Sequence, residues 1–78
     1  MITLKNLQRN NSIITADVYP EDYAKPGFIA VDVDKEEIVS FRNAPGSPYM
    51  SGKLHAAREI IAMRHRKTFP EKRVVLWY

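Results

Sequence analysis

The sequence predicts a two-layer α+β domain: a mainly antiparallel five-stranded sheet in ββββαβ order, with one long helix packed across one face. Three observations carry this reading. Residues 47–67 (SPYMSGKLHAAREIIAMRHRK) are the only stretch long and periodic enough to form several helical turns. Four short runs with strand-like alternation precede it, and RVVLWY follows it at 73–78. Between these segments lie clusters of Asn, Pro, Gly and acidic residues, the usual material of turns.

The first two strands, 2–8 and 12–19, flank Arg9, Asn10 and Asn11. A three-residue loop sets Leu4 opposite Ala16, Ile2 opposite Val18 and Asn6 opposite Ile14, which separates apolar from polar faces better than a two-residue turn at Asn10 and Asn11. It also places Asn11 where a left-handed backbone is needed, which Asn tolerates. Residues 20–27 (PEDYAKPG) read as a connection. In 28–33, Ile29, Val31 and Val33 share one face, and Phe28, Ala30 and Asp32 share the other. The next strand, 38–42, is expected to pair Val33 with Val39 and Val31 with Phe41, with Glu37 as a poor left-handed residue in the loop.

Ser47 ahead of Pro48 is the expected N-cap, because proline suits the first helical position and holds its predecessor extended. At about 100° per residue, Met50, Leu54, Ala57 and Ile61 form one apolar line, widened by Tyr49, Ala56, Ile60 and Met63. Pro70 marks the exit. Up-and-down counting makes the last strand antiparallel to the first, so that it fits the first strand's outer edge; parallel pairing beside the fourth strand is the alternative.

Composition bounds the function. Seventy-eight residues make one domain. For so short a chain, apolar burial at ~25 cal/mol/Å² and ordering at ~1.5 kcal/mol per residue nearly cancel, so association that buries more surface would help. Without cysteine there are no disulfides, no thiolate catalysis and no cysteine-ligated zinc. No apolar run reaches the ~20 residues of a membrane span, and Met1 leads into an alternating strand rather than a signal peptide, so a cytoplasmic chain without a membrane partner is expected. The formal charge of +3 conceals an acidic first half and a basic second half.

The candidate chemistry is sparse. Arg64, His65, Arg66 and Lys67, followed by Lys72 and Arg73, could contact phosphates, although cations near a helix end also complement its dipole. His55 and His65 stand too far apart on a helix to share a metal. Asp32, Asp34, Glu36 and Glu37 lack the glycine and terminal glutamate of a calcium loop and read as a solvated hairpin tip. No catalytic set, cofactor motif or metal site is assigned. With the helix on the Ile29 face, the opposite face would show Leu7, Ile13, Tyr19 and Phe28, together with Val75 or Leu76 and Trp77 or Tyr78. Such a face suits a protein contact, or else lies beneath Tyr23 and the 20–27 connection. The expectation is a small non-enzymatic interaction module that offers its apolar sheet face or a sheet edge to a protein partner or to a second copy as a homodimer. Its interface candidates are Ile13, Tyr19, Phe28, Trp77 and Tyr78. The alternative is nucleic-acid binding through residues 64–73, with Arg64, Arg66, Lys67, Lys72 and Arg73 as contacts.

Overall fold

The computed structural model describes residues 2–20, 24–46 and 52–75. They form β1 (Ile2–Asn10), β2 (Ile13–Pro20), β3 (Gly27–Asp32), β4 (Glu37–Arg42), α1 (Lys53–Ala62) and β5 (Lys72–Val75). The strands make one antiparallel sheet in the order β4-β3-β2-β1-β5. The expected α+β architecture is present, and β5 lies antiparallel on the outer edge of β1.

One face of the sheet carries the core. Ile2, Leu4, Ile14, Ala16, Val18, Ile29, Val31, Val33 and Val75 meet Ala56, Ala57 and Ile60 of α1. Alternation along β2 is regular, with Ile14, Ala16 and Val18 inward and Ile13, Thr15, Asp17 and Tyr19 turned the other way. Two strands do not alternate regularly, and each contains a bulge.

In the first hairpin Asn10 pairs with Ile13 across a two-residue connection, Asn11 and Ser12, rather than the three-residue loop that alternation favours. Asn11 does adopt the left-handed backbone, at φ 57°. From the turn, Arg9 faces Ile14 and Gln8 faces Thr15. Continued without a break, that register would put Lys5 opposite Val18 and turn Lys5 into the core. A bulge between Lys5 and Gln8, with Asn6 at φ 54°, shifts the strand by one residue and sets Leu4 opposite Val18 instead. The expected pairs of Leu4 with Ala16, Ile2 with Val18 and Asn6 with Ile14 are therefore not formed. The shift also brings Leu7 against the core, on the helix side of the sheet.

The second hairpin departs from expectation in the same manner. Val31 pairs with Ile38 and Ile29 with Phe41, and the register slips by one between Ala30 and Val31. Val39 falls in that slip and is 56% exposed, so it does not join Val33 on an apolar face. The left-handed residue is Glu36, at φ 55°, and not Glu37. Asp32 organises this turn: its Oδ1 accepts the backbone N–H groups of Asp34 and Lys35, each at 3.0 Å.

Helix α1 is shorter than its periodic segment. Ser47, Pro48, Tyr49 and Met50 lie outside the described residues, and the described helix begins after Gly52, which makes no side-chain cap. Ala56 N–H reaches the Gly52 carbonyl at 2.8 Å. At the other end the helix stops at Ala62, well short of Pro70, because the backbone tightens: Met63 bonds to Ile60, Arg64 to Ile61 and Arg66 to Met63, all i to i−3. The Arg9 guanidinium from the first hairpin donates to the Arg64 carbonyl, satisfying one carbonyl of the turn that leaves the helix. Ala56, Ala57, Ile60 and Met63 are buried, whereas Leu54 is 65% exposed. Small residues at 56 and 57 let the helix approach the sheet closely along their side, which leaves Leu54 off the contact line.

Asn6 tests the first bulge. Asn6→Val is expected to destabilise the protein by ~1–2 kcal/mol, because a β-branched side chain opposes the left-handed backbone, whereas Asn6→Gly should be close to neutral. Chemical denaturation midpoints of the two variants check this.

Candidate protein-interaction surface

The face away from α1 is built as lateral rows. One row crosses all five strands: Lys72, Lys5, Asp17, Phe28 and Arg42 are successive cross-strand partners. Tyr19 stands beside it opposite Thr3, and the Lys5 ammonium lies over the Tyr19 ring, 4.8 Å from its centroid. Ile13, Tyr19 and Phe28 are half-buried on this face, as the alternation in their strands requires.

Leu7, expected on this face, packs on the core instead, and of the alternatives Val75 and Leu76 it is Val75 that turns inward, 5% exposed beneath α1. The reason is register, since Val75 pairs with core-facing Ile2 and the β1 bulge reverses the direction of Leu7. Tyr23, Leu76, Trp77 and Tyr78 lie outside the described residues. What is described of this face combines the Tyr19 and Phe28 rings, Ile13 and Val74, which is 45% exposed opposite Thr3, with several charges.

The outer edge of β4 is the second candidate. Strand β4 pairs with β3 and, among the described residues, with no other strand. Its sequence EIVSFR has a charge of each sign at its ends, with Ile38, Val39, Ser40 and Phe41 between them. Ile38 and Phe41 are half-buried and pack against the core, while Val39 projects. The helix reaches this edge through Lys53, whose ammonium lies 5.1 Å from the Phe41 ring centroid. Gly27 holds β3 tightly against the end of β4: a Cβ there would come within 2.3 Å of the Arg42 carbonyl oxygen. The sequence suggests a sheet edge without naming this one, and its expected pairing sets Val39 inward. The available signal was Ile38 and Phe41, two apolar residues an odd number of positions apart in a strand, which is what a bulge produces.

At the opposite end, the basic residues do not converge. Arg64 pairs with Glu36 at 3.9 Å, and Arg73 with Glu59 at 2.5 Å. Lys72 and Arg73, adjacent in β5, point to opposite faces of the sheet. Arg66 and Lys67 are exposed beyond the helix. Arg9, Val33, Asp34, Glu36, Arg64 and His65 line a hollow of about 420 Å³, in which Arg64 pairs with Glu36 and its Nε donates to His65 Nε2 at 3.4 Å. Among the described residues no group of three His, Asp or Glu side chains could hold a metal ion. Nor is any described helix long and apolar enough to cross a membrane.

Comparison with known proteins identifies no relative: no family model, no curated protein and no solved structure matches the chain.

The turn that starts β4 depends on Asp32. Asp32→Ala strips two amides of their acceptor and is expected to cost ~1–3 kcal/mol, whereas Asp32→Asn keeps an Oδ1 acceptor and should cost clearly less. Thermal and denaturant unfolding of the pair checks the difference.

Proposed function

We propose that this chain is a non-enzymatic protein-interaction module whose working surface is the outer edge of β4. The observation that carries the reading is an edge strand without a described partner, with Val39 56% exposed between two apolar residues anchored in the core. An extended segment added there would gain main-chain hydrogen bonds from the strand and apolar contact with Val39. The opposite edge suits that role less, since the described part of β5 begins with Lys72 and Arg73, the kind of charge that discourages strand addition.

Peptides selected from a random display library test this reading. They are expected to perturb backbone amide resonances at 37–42, and Val39→Asp should weaken them by at least ~10-fold, about 1.4 kcal/mol, with unchanged circular dichroism. Selected peptides that perturb only the Tyr19 and Phe28 face would overturn the edge reading.

Nucleic-acid binding is the second reading. It is supported by Arg66, Lys67 and Lys72, which are exposed and make no ion pair with a described residue, whereas Arg64 and Arg73 are engaged by acidic neighbours. If those three cations contact phosphates, log affinity should fall with log salt at a slope of roughly −2 to −3. Arg66→Glu with Lys67→Glu should abolish binding to single- and double-stranded probes; no retardation of either probe at low salt by the unmodified protein removes this reading.

A further inference from the structure

The order of residues along β4 says which partner its edge fits. We infer that the occupant is a second copy of this chain, its β4 laid antiparallel along the first about a two-fold axis passing between Val39 and Ser40. This rests on the edge reading above and names the partner. The pairing is isologous, so every contact occurs twice. It sets Glu37 of one copy opposite Arg42 of the other, Ile38 opposite Phe41, and Val39 opposite Ser40.

Two properties of the strand favour this register. Directly opposed residues in an antiparallel pair share a face, so Ile38 and Phe41 must point to the same side for the pairing to work. In a regular strand, residues three apart point to opposite sides. In β4 both reach the core side, because the register slip at Val39 lies between them. Glu37 and Arg42 likewise share the other face, as partners of Asp32 and Phe28. A bulge commonly protects an edge from pairing; in this strand it brings the faces into agreement with a copy of itself.

Charge points the same way. The register opposes glutamate and arginine twice per dimer. Sliding the copies by two residues in one direction puts Glu37 opposite Ser40; in the other it puts Val39 opposite Arg42, so both slides break the two ion pairs. The continuous sheet would place the helices of both copies on one side, with Ile38 and Phe41 of each extending the two cores toward one another.

Sedimentation velocity and backbone amide spectra of the full chain, over ~10 μM to ~1 mM, test the inference at the weak end expected of a small interface. Expected are a mass rising from 9.0 kDa toward twice that value, and shifts concentrated at 37–42. Glu37→Arg opposes cation to cation across the axis, and Arg42→Glu opposes anion to anion, so each variant alone should remain monomeric. An equimolar mixture of the two should dimerise, since every cross-copy pair is again of opposite sign. Both positions are exposed, and circular dichroism of each variant checks the fold.

A monomer throughout the range, with 37–42 unshifted, overturns the second copy as occupant. The edge reading survives that result if selected peptides still bind there, so the two failures are distinct. Association that ignores both charge reversals, or that shifts Tyr19 and Phe28 instead, also overturns it.

Discussion

The structure depends on keeping the centre of one sheet face apolar beneath a short helix, with Arg73 at its margin paired to Glu59. Helix α1 has ten described residues, about 15 Å of axis at 1.5 Å per residue, and it must cover residues drawn from all five strands. It does so with Ala56, Ala57 and Ile60, whose two small side chains bring the backbone close. Any strand that presented a charged residue to that seam would bury an unpaired ion, which is far costlier than losing a contact. The two bulges serve this constraint. One keeps Lys5 out of the seam and Leu4 in it; the other brings both Ile38 and Phe41 toward it.

The bulges use unfavourable backbone to do this. Asn6 and Glu36 hold positive φ, and Glu36 lacks the local side-chain hydrogen bonding that eases Asn into that region. Support comes from side chains nearby. Asp32 ties the β3–β4 turn through two amides, and Glu36 meets Arg64 across from the helix exit. Arg9 bonds the Asn11 and Arg64 carbonyls, so one guanidinium joins the first hairpin to the chain leaving α1. Much of the conspicuous charge at this end thus has a structural partner.

That distribution separates the two functional readings. A basic sequence cluster looks like a single surface until its members are placed; here Arg64 and Arg73 face acidic neighbours, and Lys72 turns to the far side of the sheet from Arg73. The edge of β4, by contrast, gathers its features in six consecutive residues. Local clustering of that kind needs no distant element to assemble it, only a strand left at the margin of the sheet.

Element order and strand count were legible in the sequence, because alternation, helical period and turn residues are local properties that the chain expresses anywhere; the sequence left the last strand's neighbour open between the first and the fourth, and the structure sets it beside the first. The left-handed Asn11 was legible for the same reason. Ile13, Tyr19 and Phe28 were correctly set on the face away from the helix, since regular alternation in β2 and β3 carries no interruption before them. What only the tertiary structure decided were the positions of the bulges and everything downstream of them: the inward turn of Leu7, the outward turn of Val39, and the face shared by Ile38 and Phe41. The helix likewise ended where Arg9 and the tightened backbone ended it, not where its periodicity ran out. Register is a contest between two strands and the core they share, so a single strand's sequence does not contain it.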